Sequence, residues 1–300
     1  MSTAPAGVEA TPKRAERSRT LLLDRKGPDR SRILLWLAVV LIIIFCLFPF
    51  YWLINTSLKS GPDLSSARLV PPHPTADNYS SIFRNADFVK ALRNSAIVTL
   101  STTVISLLVG SFAGYALARL RFPRKFLVLA LILSISTFPP IAIAAPVFKL
   151  WTDVGLYNSY IGLILPTLTL GLPLTIYILT SFFQEIPKEL EEAALVDTET
   201  RFQAFRKVIL PLSAPGLVTA GLLVFIAAWN EFLFAITLTS TPDRRTVPAA
   251  IAFFTGSQKF EVPLGTISAA SVIVTIPLIV FVLLFQKRIV AGLTAGAVKG

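Results

Sequence analysis

Charge is scarce in this sequence. Only 15% of the 300 residues are Asp, Glu, Lys or Arg, whereas a water-soluble domain carries roughly a quarter. With 54% hydrophobic residues, the chain falls outside the soluble class and reads as a polytopic membrane protein. There is one cysteine, Cys46, which excludes a disulfide framework or a thiolate metal site. There is one histidine, His73, in the stretch Pro71-Pro72-His73-Pro74, where it reads as an incidental loop residue. Histidine metal sites and Ser/His catalytic arrangements therefore lack their parts. No G-x-x-x-x-G-K-[ST] loop occurs, so the chain has no usual cradle for nucleotide phosphates. Acids inside the apolar runs are nearly missing too. Glu231 is the main one, and an ion-coupled carrier usually needs buried carboxylates or broken-helix ion sites. Glu231 falls roughly 33 Å along its run if that run is helical, near the outer surface. An interfacial acid in contact with water and a functional carboxylate are both open there.

What the sequence does have is long apolar runs. Six are long enough to cross a bilayer at about 20 residues each: 33–54, 92–117, 126–150, 159–183, 209–237 and 265–285. Helices are expected throughout, because open strands leave backbone groups unsatisfied in lipid. The fold class is therefore all-α, a six-helix polytopic membrane protein. The third run is interrupted by Pro139-Pro140 and Pro146. Ahead of the first run, residues 1–32 read as a disordered basic arm. That run is too long for a signal-peptide core and has no small-residue cleavage site, so it is expected to stay attached. The six-span body then covers 33–288 and a slim tail covers 289–300. The connection 55–91 is the longest expected outside the membrane, with a short helix at 78–85.

The net charge of +11 is a topological signal rather than a nucleic-acid one, since the basic residues sit beside the spans and suit lipid headgroups. With the N-terminus inside, the inner segments hold 19 Lys and Arg and the outer segments 7. Both termini and the segment 185–210 are thus expected in the cytoplasm.

That segment, E-I-P-K-E-L-E-E-A-A-L-V-D-T-E-T-R-F-Q-A-F-R-K-V-I-L, is the most charged part of the second half of the chain. Pro187 suits a first helical turn, with Glu189, Glu191 and Glu192 near its positive end. Asp197 or Thr198 suits the cap of a second helix, whose last turn carries Arg206 and Lys207. Phe202 and Phe205, three apart, suggest one apolar knob. The residues alone leave two readings open: a docking surface for a soluble partner, or an ordinary amphipathic loop.

Glu191-Glu192-Ala193-Ala194-Leu195-Val196-Asp197, followed by Phe205 and Pro211, resembles the E-A-A loop of ABC importer permeases. Further stretches resemble the same family in order: Pro49-Phe50-Tyr51-Trp52 with Ser57-Leu58-Lys59, Gly114-Tyr115-Ala116-Leu117-Ala118-Arg119 with Phe122-Pro123, Gly155-Leu156-Tyr157-Asn158-Ser159-Tyr160, and Trp229-Asn230-Glu231-Phe232-Leu233. The ending, from Val290 to Gly300, is similar to the second permease of maltose/trehalose-type carbohydrate importers. One departure is Thr198-Glu199, where the family usually has Gly and a small residue. Gly permits a positive φ that Thr resists, so the turn is expected to differ.

The resemblance implies a subunit without catalytic groups. It also implies a second permease as partner, a cytoplasmic ATPase dimer that binds ATP and Mg, and an extracellular, periplasmic or lipid-anchored sugar-binding protein. It assigns Glu191, Glu192, Ala193, Ala194, Asp197 and Phe205 to ATPase coupling. It places Phe254, Thr255, Gly256, Ser257 and Gln258 against the binding protein, and Thr294, Gly296, Lys299 and Gly300 along the ATPase interface. No cofactor or metal is expected on the chain. The alternatives in view are a self-contained carrier or channel, a membrane scaffold for a soluble enzyme, and an sn-glycerol-3-phosphate-type substrate. The charge count is checked by thiol labelling. Probes before Arg32 or after Gly300 are expected to react only from the cytoplasm, and probes at Asp77 or Asp243 only from outside. Reversed labelling at either pair overturns the orientation.

Overall fold

The computed structural model describes residues 30–197, 200–254 and 263–297, with side chains for all of these except 30–31 and 287–297. Its regular elements are all helical. In order they are α1 (Arg30–Ser57), α2 (Asp77–Arg84), α3 (Ala86–Arg119), α4 (Lys125–Thr137), α5 (Pro140–Asp153), α6 (Tyr160–Glu185) and α7 (Lys188–Val196). There follow α8 (Arg201–Leu212), α9 (Ala214–Trp229), α10 (Leu233–Leu238), α11 (Val247–Ala252) and α12 (Leu264–Ala297).

Four of these, α1, α3, α6 and α12, are long and apolar enough to cross a membrane alone. Two bent pairs bring the number to as many as six, if each pair is one span. The α4 and α5 axes meet at 87°, and those of α8 and α9 at 75°. The expected third span is thus not one straight helix. Pro139 and Pro140 supply no N–H to continue α4, and the chain turns there. The fifth span likewise differs. Its helix stops at Trp229, and Glu231 lies beyond it, where its carboxylate accepts the N–H groups of Phe234 (2.6 Å) and Ala235 (3.0 Å) at the start of α10. Each oxygen of this acid thus has a protein backbone N–H as partner.

The chain divides into two compact units, Met1–Trp52 and Leu53–Gly300. In the first, none of the most apolar window of α1 is buried within the structure, and Cys46 is exposed. The second holds the core. Its central contact is α3 against α6, with α9 laid against both. Small residues set the spacing. A Cβ on Gly110 would stand 2.5 Å from Cγ2 of Thr175, and one on Gly114 would stand 3.1 Å from the backbone nitrogen of Thr180. The four-residue spacing of these glycines therefore marks a true close approach. Gly171 admits Val224 of α9, and Gly216 admits the Phe182 ring.

The connection 58–76 is tied down by amides and an ammonium. Lys59 is buried and donates to the carbonyls of Ser66 (2.9 Å) and Arg68 (3.0 Å). Asn78, on α2, donates to Ser57 O (2.9 Å) and Lys59 O (2.8 Å). The short helix expected at 78–85 is α2, shifted by one residue at each end. Gly114→Val is expected to force α6 away and cost the detergent-solubilised protein about 1–3 kcal/mol of stability. Gly221→Ala, whose Cβ would meet only the flexible end of Leu107 at 3.1 Å, is expected to cost less. Melting curves of the two variants check the order, and equal curves would contradict the packing assignment.

Candidate functional site at the ends of α3 and α6

Three helices converge at one end of the second unit. The last turn of α3 carries Tyr115 and Arg119, four residues apart and so on one face. The end of α6 carries Phe183, and α7 begins just after Ile186 and Pro187. Glu191 on α7 points inward. Its Oε1 accepts the Tyr115 hydroxyl at 2.5 Å. Its Oε2 lies 3.3 Å from Nε of Arg119, an ion pair whose side chains are 11% and 5% exposed. The contact is close but not aligned as a hydrogen bond. The other arm of Arg119 donates to the carbonyl of Ile186 at 2.6 Å, at the end of α6. One guanidinium thus joins three helices. Such a pair, taken out of water, holds geometry more than it adds net stability.

Helix α8 reaches the same place by an aromatic route. Phe205 is buried, with ring centroids 4.8 Å from Tyr115, 5.5 Å from Phe112 and 6.1 Å from Phe183. Phe202 stays largely exposed, stacked over Phe112 at 6.4 Å. The two phenylalanines therefore do not form one presented knob. Phe205 is an anchor and Phe202 a cover. Phe205 opens a π turn, Phe205–Ile209, in which the Leu210 N–H bonds back to the Phe205 carbonyl. Pro211 follows at once and lacks an N–H of its own.

Several expected site residues change place. Thr200, not Asp197, caps α8. Its hydroxyl accepts the Gln203 N–H (3.3 Å) while the Gln203 side chain accepts the Thr200 N–H (2.7 Å). That reciprocal box, T-x-x-Q, was readable in the sequence. Thr198 lies outside the described residues. Glu191 and Phe205, assigned above to ATPase coupling, are turned inward. Glu192, Ala193 and Asp197 are exposed and Ala194 is half-buried. Glu192 makes no hydrogen bond or ion pair among the described residues, so α7 presents this acid while its neighbour Glu191 is engaged. Beneath α7 lies a cleft of about 580 Å³ lined by Arg119, Arg121, Lys188, Glu191, Glu192 and Arg201.

At the opposite end of the unit, the segment after α10 is not a plain solvated loop. Asp243 pairs with Lys90 at 2.7 Å, and this ammonium holds the Asp243 carboxyl below the usual carboxylate range. Asn94 donates to the carbonyls of Asp243 (3.0 Å) and Arg245 (2.9 Å), and its own carbonyl accepts the Tyr160 hydroxyl at 2.7 Å. Arg244 covers the Tyr160 ring at 4.5 Å and Arg245 the Phe253 ring at 3.8 Å. Helix α11 then returns into the core. Phe254, expected to face a partner, is half-buried with its ring 5.8 Å from Phe88. Thr255, Gly256, Ser257 and Gln258 lie outside the described residues. So do Lys299 and Gly300. Thr294 and Gly296 fall within α12, so the expected slim tail is helical as far as Ala297.

An all-helical chain with broken spans and an amphipathic helix pair docked across the ends of its central helices defines the class of polytopic transport subunits. Residues 90–294 match the family described as binding-protein-dependent transport system inner membrane component, and the chain belongs to that family. It is 52% identical to the trehalose transport system permease protein SugB of Mycobacterium tuberculosis over 87% of this chain and 95% of that protein. It is 43% identical to the trehalose/maltose transport system permease protein MalG of Thermococcus litoralis over 90% of this chain and 98% of that protein. Among solved structures, a bacterial ABC transporter involved in import of the acidic polysaccharide alginate superposes with a TM-score of 0.74 at 23% identity. That match covers 88% of this chain and 99% of the other, and it supports the fold.

The hub has a thermodynamic signature. Glu191→Ala leaves Arg119 buried without its carboxylate and is expected to cost about 3 kcal/mol. Adding Arg119→Leu is expected to recover part of that loss. Thermal unfolding in detergent measures both. A Glu191→Ala loss no larger than that of the exposed Glu189→Ala would contradict the assignment.

Proposed function

We propose that this chain is one of two different permease subunits of an ATP-driven importer for a neutral di- or oligosaccharide of the trehalose or maltose kind. The observation that supports this best is the division of labour on α7. Glu191 fastens the helix to α3 and α6, while Glu192 and Ala193 remain exposed. A helix that is both anchored and unoccupied is suited to receiving a push from a soluble partner. The names of the two relatives supply the carbohydrate class.

In this reading the α7–α8 end is cytoplasmic and docks one subunit of an ATPase dimer, a separate chain that holds ATP and Mg. Glu192 offers its carboxylate to a basic group there, and Ala193 and Ala194 allow close approach. Closure of the ATPases moves α7. The Glu191–Arg119–Tyr115 contacts and the Phe205 ring carry that displacement into α3 and α6 as a rigid body, because packed helices shift as units rather than bend. Alternating exposure of a cavity shared with the second permease follows. Outside, residues 255–258 face a sugar-binding protein, and residues 294–300 run toward the ATPases.

Glu192→Ala and Ala194→Arg are expected to insert normally but to abolish ATP hydrolysis stimulated by the binding protein in proteoliposomes of the full importer. Wild-type sugar uptake by both variants would sink the docking assignment.

A further inference from the structure

The break between α4 and α5 leaves backbone groups that the chain does not satisfy. In an unbroken helix the carbonyls of Ile135 and Ser136 would receive the N–H groups of residues 139 and 140. Both of those are prolines and have none. Ile135 O is taken instead by Phe138 N at 3.2 Å. The carbonyls of Ser136 and Thr137 receive no backbone N–H among the described residues. The Ser136 side chain is exposed and also makes no hydrogen bond there.

These groups lie deep in the apolar layer. Ser136 is eleven residues from the start of α4, roughly 17 Å along its axis. Facing it is Thr169, nine residues into the 26-residue α6, or about 14 Å of some 39 Å. Irregular backbone at such depth does not face lipid, because each unsatisfied group costs several kcal/mol there. It occurs where it is buried in protein or lines a watery cavity. A pocket of about 430 Å³ does sit at the break, lined by Ser134, Ser136, Phe138, Ile143, Thr169 and Leu170 among others.

The lining specifies the occupant. It contains no ionisable side chain, so a charged ligand gains nothing from it. It offers hydroxyls whose lone pairs accept hydrogen bonds: those of Ser134 and Thr169 already donate to Leu131 O (2.7 Å) and Pro166 O (2.6 Å). The free carbonyls of the break add acceptors. The exposed Phe138 ring supplies a flat apolar face beside them. Acceptors beside an aromatic face suit a neutral ring that carries many O–H donors on its edge and C–H groups on its face. We propose that the α4–α5 break is a sugar subsite on the translocation path, with Ser136, Phe138 and Thr169 as its contacts. This rests on the import of a neutral saccharide proposed above.

The test uses the full importer in proteoliposomes with radiolabelled trehalose as the probe. In a Cys46→Ser background, Ser136→Cys is expected to react with a charged, membrane-impermeant thiol reagent and to be protected by trehalose. Leu131→Cys, on the exposed apolar flank of α4, is expected to stay unreacted. Phe138→Ala and Thr169→Val are each expected to lower uptake at sub-saturating trehalose by about tenfold, the scale of one lost contact. Leu131→Ala is expected to leave uptake unchanged. A Ser136→Cys as inert as Leu131→Cys, or unchanged uptake by both pocket variants, overturns the subsite while leaving saccharide import standing. A wild-type complex that moves no disaccharide overturns the import reading and the sugar assignment together.

Discussion

The approach of α3 to α6 at Gly110 and Gly114 sets a distance on which both ends of the molecule depend. Between helices in lipid there is little hydrophobic driving force, so contact rests on shape and on close backbone approach. Thr175, Leu179 and Thr180 occupy the space that side chains at those two positions would fill. With that spacing fixed, Arg119 reaches the last carbonyls of α6 and the first turns of α7. At the far end, Tyr160 reaches Asn94. A few tenths of an ångström at the glycines would be felt in both networks, because neither has slack: its hydrogen bonds run from 2.5 to 3.0 Å.

The two ends are fastened by different chemistry. At the α7 end, one buried ion pair and four aromatic rings clamp a helix pair that is otherwise amphipathic and charged. At the other end, a buried amide, Asn94, holds the chain after α10 through its main-chain carbonyls, while the ion pair of Lys90 and Asp243 stands exposed and contributes little. The first arrangement fixes a helix pair to the ends of α3 and α6 and the second holds a segment in register. Both tie α3 to α6.

The all-helical class, the placement of the apolar runs and the amphipathic character of 185–210 were legible because they rest on length and composition. The direction of individual side chains was not. Glu191 and Glu192 are neighbours of identical chemistry, and only the phase of α7 against Arg119 decides which is engaged. Phe202 and Phe205 are three apart, and burial of one and exposure of the other follows from their contacts with α3. Pro139-Pro140 announced an interruption but not its angle. Two signals were present and unused: the T-x-x-Q box at Thr200, and the four-residue interval between Tyr115 and Arg119. The end of the fifth span was misjudged because apolar residues continue beyond Trp229. The break there is set by Glu231 bonding to the following N–H groups, which no count of hydrophobic residues reveals.

The bend at Pro139 also bears on how the protein is made. Helix α4 has 13 residues and α5 has 14, so each is about 20 Å long. A bilayer core is about 30 Å thick. Neither half is long enough to settle across it alone, and the exposed carbonyls between them make lipid a poor solvent for the pair. Helix α4 packs against α6, and α5 against α10, and both of those partners are synthesised later. Both halves of the third span thus depend on packing partners that emerge later in the chain.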